Sequence, residues 1–330
     1  MSAEEPGAGP ARPREPSEGS IAAGLLERVS EQLDTVVVGQ QETIRLVLVA
    51  LSCRGHVLLQ GVPGVAKTLL ARALAATLGV SVRRVQFTPD MLPSDLTGTM
   101  TIRGGELVFR PGPVFTNVLL ADEINRTPPK TQAALLEAMQ EAQVTVDGRP
   151  HPLQAPFIVV ATQNPIEYEG TYPLPEAQLD RFLLQVDVGY PSAEDEGRML
   201  ALDRDGVDPV GLERISVVIP PQQIERLIEQ AGATSVEDEV AAYVVALVRR
   251  TRELPSVALG ASPRAAVHLL AAARAAARMR GRTFVTPDDV AELAPPVLAH
   301  RLVMTPDAEL DRFGAREAVR VALEEVPVPR

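Results

Sequence analysis

The chain has 330 residues of which 45% are hydrophobic, so it can bury about three quarters of the surface exposed when unfolded. No run approaches the roughly 18 apolar residues of a membrane span, and Pro, Gly and Glu fill the N-terminus where a signal peptide needs an apolar segment. A single cysteine, Cys53, forbids an internal disulfide, while a net charge of −11, the absence of Trp and 3% aromatics argue against nucleic-acid binding. The expectation is a cytoplasmic protein that is not integral to a membrane.

Residues 1–20 read as a disordered tail, with Pro6, Pro10, Pro13 and Pro16 interleaved with glycine and charge. Leu25, Leu26, Val29 and Leu33 predict an amphipathic helix, and a second helix is expected from Gln41 to Leu51. Short apolar runs follow at His56–Gln60, Arg84–Phe87, Val118–Ala121, Phe157–Thr162 and Leu183–Val188. Helical segments such as Thr68–Leu78 and Pro128–Ala142 lie between them. Buried strands alternating with helices predict an α/β fold with a parallel sheet covered on both faces, spanning 21–190. Gly104-Gly105 and Asp147-Gly148 mark two hairpins inserted into that plan. Residues 191–216 read as a linker and 217–330 as a helical domain. There Ser262-Pro263 and Thr286-Pro287-Asp288-Asp289 are helix starts, and Gly281 is a stop.

The chemistry begins at Gly61-Val62-Pro63-Gly64-Val65-Ala66-Lys67-Thr68-Leu69, which follows an apolar run and opens a helix. That context suits a phosphate-binding loop, in which backbone N–H groups and the helix N-terminus face the anion. Lys67 would reach the β- and γ-phosphates, and the Thr68 hydroxyl would bind magnesium. Ala66 departs from the general pattern, which has glycine before the lysine. The strand Asn117–Ala121 then ends in two acids. Asp122 would hold the magnesium shell, and Glu123 would orient and polarise an attacking water. A third apolar strand ends in Asn164, which could bond the γ-phosphate or the water. The four histidines are scattered without metal-ligand spacing.

The segments GVPGVAKT, NVLLADEINR, FIVVATQNP and LPEAQLDRF, in this order, resemble the MoxR family of AAA+ ATPases over roughly residues 30–300. The resemblance implies a P-loop NTPase core with β-hairpin insertions, followed by an all-helical lid. It implies ATP and Mg2+ as cofactors, and alanine before the lysine is usual in the family. Residues 91–116 resemble the insert within helix 2, and Gln143–Leu153 the hairpin preceding the sensor-1 strand. Asn164 matches sensor 1. Arg181 matches the arginine finger that enters the neighbouring subunit's site. Arg264 matches the sensor-2 arginine, and Val38-Gly39-Gln40 the segment lining the adenine pocket. Independently, a cation such as Arg264 in the first turn of a helix opposes the dipole and calls for a compensating anion.

The implied function is a chaperone-like ATPase, working as a ring of about six subunits. It would aid maturation of protein complexes or insertion of metal cofactors on an unidentified client protein, with a partner carrying a von Willebrand factor A domain. The alternatives are a subunit similar to the magnesium-chelatase ATPase, a nucleic-acid motor, or a nucleotide-switched scaffold with little turnover.

Overall fold

A computed structural model describes residues 18–34, 36–62, 67–164, 171–204, 212 and 215–329. Helix α1 (Glu18–Leu33) starts ahead of the expected Ile21 and buries Leu25, Val29 and Leu33. Residues 1–17 of the expected tail lie outside the described residues. Helix α2 (Gln41–Ser52) is buried along most of its length. The alternating pattern then unfolds as β1 (Val57–Gly61), α3 (Lys67–Thr77), β2 (Val82–Gln86), α4 (Pro93–Thr97) and the hairpin β3 (Gly98–Arg103) with β4 (Glu106–Pro111). It continues with β5 (Val118–Asp122), α5 (Pro129–Glu141), the hairpin β6 (Gln143–Val146) with β7 (Arg149–Pro152), β8 (Ile158–Gln163), α6 (Glu176–Leu179) and β9 (Leu184–Val188). Both hairpins turn where the sequence signals them. Gly104 and Gly105, and Asp147 and Gly148, have positive φ, as a tight two-residue hairpin turn requires.

The five strands β2-β5-β8-β1-β9 form one parallel sheet in that order. Successive side chains of a strand point to opposite faces. Val57, Leu59, Val118, Leu120, Ile158 and Val160 therefore pack on one side, against α1, α2 and α3. Leu58, Leu119, Ala121, Val159 and Ala161 pack on the other, with Leu135 and Leu136 of α5. Because every strand runs the same way, their C-terminal ends bring Gly61, Asp122 and Gln163 to one edge of the sheet, where ligands of open α/β folds bind. The segment Arg84–Phe87 proves to be less apolar than its neighbours for a reason. β2 is an edge strand, and only Val85 of its five residues is buried.

In the stretch read as a linker, residues 193–204 form helix α7 (Ala193–Arg204), with Glu194, Asp195 and Glu196 in its first turn. The chain continues with α8 (Pro221–Gly232), α9 (Asp238–Thr251), β10 (Val257–Leu259), α10 (Pro263–Met279), α11 (Pro287–Leu298), β11 (Val303–Met304), α12 (Pro306–Leu310) and α13 (Ala315–Glu325). Among the described residues the lid is helical apart from the small antiparallel ribbon of β10 and β11 and a single bridge between Ser235 and Phe284. Two of its helices, α10 and α11, start where the sequence signals. Ser262 Oγ accepts from Ala265 N at 3.3 Å. Thr286 N donates to Asp289 Oδ2 at 2.9 Å, and the buried Asp289 carboxylate is paired with Arg280 at 2.7 Å and Arg282 at 2.5 Å. Alanines 265, 272, 273 and 275–277 are buried on α10, letting neighbouring helices approach closely. The lid core is continuous with the α1–α2 side of the sheet, so the lid packs on that face of the core.

Candidate functional site

The phosphate-loop residues Pro63, Gly64, Val65 and Ala66 lie outside the described residues, but both ends of the loop are placed. Gly61 is the last residue of β1. A Cβ there would meet the Val188 carbonyl oxygen at 2.3 Å, so β9 leaves room only for glycine. Val62 and Leu69 are half-buried beside the loop. Lys67 and Thr68 open α3, and Lys67 Nζ donates to the Gly61 carbonyl at 2.6 Å, holding the ammonium at the end of β1.

Two neighbouring strand ends supply the acids. Asp122, the buried last residue of β5, accepts from Thr68 Oγ1 at 3.2 Å, Thr162 Oγ1 at 3.2 Å and Arg84 Nε at 2.6 Å. Glu123 follows in a left-handed conformation with φ 57°, which for a non-glycine residue costs about 1–3 kcal/mol. Its N–H donates to Thr162 Oγ1 at 2.9 Å. Its carboxylate accepts from Gln86 Nε2 and is paired with Arg126 at 3.1 Å. Asn164 is buried directly after β8, beside β1, at the same edge of the sheet. Lys67, Thr68, Asp122, Glu123 and Asn164 thus gather at the C-terminal ends of β1, β5 and β8. The donor set of Thr68 hydroxyl and Asp122 carboxylate is one of hard oxygens, which suits Mg2+.

Val38 and Gly39 sit further along. Gly39 has φ 75°, and a Cβ there would meet the Asp195 carboxylate at 2.7 Å, so this segment abuts the start of α7.

Arg181 and Arg264 lie elsewhere. Both line one cavity of 380 Å3 with Arg54, His56, Gln140 and His268. His56 immediately precedes β1, and its carbonyl accepts from Leu183 N just before β9, so the cavity belongs to the N-terminal ends of the strands. A five-residue strand spans about 16 Å, which separates this end of β1 from Gly61 at its C-terminal end. Arg181 Nη1 donates to the Ala177 carbonyl at 2.7 Å and Nε to Gln140 Oε1 at 3.3 Å, rather than to Glu176 or Asp180. Asp180 instead accepts from Arg301 Nε at 2.8 Å. Burial pushes the His56 imidazole down to about 4, and burial together with Arg301 does the same for His268. Both rings are therefore neutral at physiological pH, and the charge of the cavity comes from its arginines.

The sequence reading missed Thr162, which donates to the Asp122 carboxylate and accepts from the Glu123 backbone N–H. It also missed Arg84, Gln86 and Arg126, which pair with those acids, and Arg301. A signal existed for two of them. Arg84 and Gln86 alternate along β2, and polar residues at spacing two on an edge strand share one face.

Residues 56–184 match the ATPase family associated with various cellular activities (AAA), and residues 249–321 match the AAA lid domain. The chain is 47% identical to the uncharacterized protein YeaC of Bacillus subtilis, over 92% of this chain and 95% of that one. It is 46% identical to Chaperone MoxR1 of Mycobacterium tuberculosis, over 92% and 82% of the two chains. Among solved structures it is similar to a Cytophaga hutchinsonii protein assigned as an ATPase. The TM-score is 0.87 and the identity 37%, over 95% of this chain and 97% of that one.

Proposed function

The chain belongs to the MoxR family of AAA+ ATPases, and on that footing we propose that it hydrolyses ATP to ADP and phosphate to drive chaperone-like remodelling of protein complexes. The observation that carries this reading is the hydrogen bond from Thr68 to Asp122, which joins the end of the phosphate loop to the acidic strand end.

In this reading Lys67 holds the β- and γ-phosphates, while Thr68 and Asp122 hold Mg2+. When bound, Mg2+ neutralises charge on the phosphate oxygens. Among the described residues no group of three or more His, Cys, Asp or Glu could hold a metal ion. A site of one carboxylate, one hydroxyl and substrate phosphates is the usual mode for Mg2+. Glu123 orients the attacking water and accepts its proton, and Gln86 and Arg126 fix the carboxylate meanwhile. Asn164 positions the water or the γ-phosphate.

Arg181 and Arg264 sit too far along the sheet to serve their own chain, so each completes the site of a neighbouring copy. That arrangement needs a ring, which we take to be a hexamer, and no described helix is long and apolar enough to cross a membrane. Maturation of complexes or metal-cofactor insertion, a partner with a von Willebrand factor A domain and a cytoplasmic location complete the proposal. They rest on the family resemblance and the relation to a chaperone.

The test compares wild type with Glu123→Gln. Wild type should hydrolyse ATP in the presence of Mg2+, and Glu123→Gln should bind ATP yet lose turnover. Failure of wild type to bind ATP in calorimetry, or wild-type turnover by Glu123→Gln, would sink the reading.

A further inference from the structure

We propose that Arg301 is a positioning residue that holds Arg181 and Arg264 in one fixed arrangement, an inference that rests on the shared-site reading above. Arg301 ends the short 3-10 turn Ala299–Arg301 of the lid, and its side chain is only 2% exposed. It reaches out of the lid into the core. Nε donates to Asp180 Oδ1 at 2.8 Å, and Nη2 donates to the Phe182 carbonyl at 2.6 Å and the Asp180 carbonyl at 3.3 Å. Nη1 donates to the Leu183 carbonyl at 3.4 Å and, within the lid, to the carbonyl of Val297. One guanidinium therefore fixes the backbone on both sides of Arg181.

The same group fixes Arg264. The Asp180 carboxylate also accepts from Ser262 Oγ, at 3.2 and 3.1 Å to its two oxygens, and Ser262 is the N-cap of α10. Arg264 lies in the first turn of that helix. One turn later, His268 Nδ1 is 2.6 Å from Arg301 Nη2. Arginine has no acceptor, so His268 Nδ1 must carry the lone pair, and the ring is neutral with its proton on Nε2. Asp180 is thus the counter-charge of Arg301 and ties it to the N-cap of the helix that carries Arg264.

A buried ion pair is a poor device for stability alone, because desolvation offsets most of its attraction. What it supplies is directional geometry, and the residues it orients are the two arginines that a neighbouring ATP would meet. Catalysis is sensitive to such placement, since a displacement of about 1 Å can cost roughly a hundredfold in rate.

The experiment is a mixing assay with side-specific placement of the substitution. Lys67→Ala subunits keep sound arginines and Arg181→Ala subunits keep a sound phosphate loop, so mixing the two should restore ATP hydrolysis. Subunit exchange is verified by fluorescence transfer between labelled subunits. Arg301→Gln is then added to one parent or to the other. Added to Lys67→Ala, the subunit that donates the arginines, it should lower the restored activity roughly a hundredfold. Added to Arg181→Ala it should change that activity little, and Arg301→Lys on the arginine donor should recover part of the loss. If circular dichroism shows Arg301→Gln unfolded, Asp180→Asn carries the same test, since it keeps an acceptor for Ser262 while removing the charge. A loss of equal size from either parent marks a merely structural role and overturns the proposal, as does no loss from either. No recovery in the parental mixture, with exchange confirmed, overturns the shared-site reading itself and the proposal with it.

Discussion

Arg181 and Arg264, one from the core and one from the lid, line a single cavity at the end of the sheet opposite Lys67. Their proximity makes them one functional unit in mixing experiments. Arg181→Ala and Arg264→Ala should each bind ATP and each regain turnover when mixed with Lys67→Ala. Mixed with each other they should stay inactive, because every interface then lacks one arginine. Loss of a finger costs roughly 10³–10⁵ in rate, so even partial recovery is measurable. Recovery in the Arg181→Ala and Arg264→Ala mixture would show that the two act in different sites.

Lys67→Ala should abolish ATP binding without unfolding the chain. The ammonium donates to the Gly61 carbonyl at the end of β1, and Lys67 stands at the half-buried start of α3 rather than in the core. Calorimetry on the folded variant is the check, and wild-type affinity would contradict the phosphate-loop assignment.

Gly61→Ala should destabilise the core by about 1–3 kcal/mol, since the added methyl meets the Val188 carbonyl oxygen at 2.3 Å and must push β9 from β1. Gly189→Ala, with nothing within 4 Å of its Cβ position, is the control and should be neutral. Denaturant midpoints of the two variants separate packing from any general cost of alanine.

Asp289→Ala should destabilise the lid by about 3 kcal/mol. It removes the fully buried carboxylate that pairs with Arg280 and Arg282 and caps α11 through Thr286. Denaturant unfolding should show the loss, and an unchanged midpoint would mean that Arg280 and Arg282 find other partners.

Stability should rise with pH between about 4 and 6.5. Folded His56 and His268 resist protonation down to about 4, while the unfolded chain takes up protons near 6.5. Each contributes a slope of at most about 1.4 kcal/mol per pH unit in that window and none above it. His268→Asn should flatten the slope by one histidine's share, and an unaltered slope would refute the assignment of a depressed pKa to His268.

Much of this protein was determined by the sequence alone. The alternation of short apolar runs with helices fixed an α/β sheet, since a strand buried on both faces must be apolar throughout. Lys67, Thr68, Asp122, Glu123 and Asn164 were legible because each stands at or directly after a strand end or at a helix start, and parallel strands carry such positions to one edge. Only the tertiary structure decided which edge the arginines occupy. Arg181 and Arg264 follow the site residues in the chain, yet Arg181 precedes β9 at the N-terminal end of the sheet, and the docking of the lid on the α1–α2 face brings Arg264 to the same cavity. Arg84, Gln86, Thr162 and Arg301 were hidden for the same reason. Their roles arise from pairs of side chains that meet only across strands or between core and lid, and no local pattern encodes a contact between distant segments.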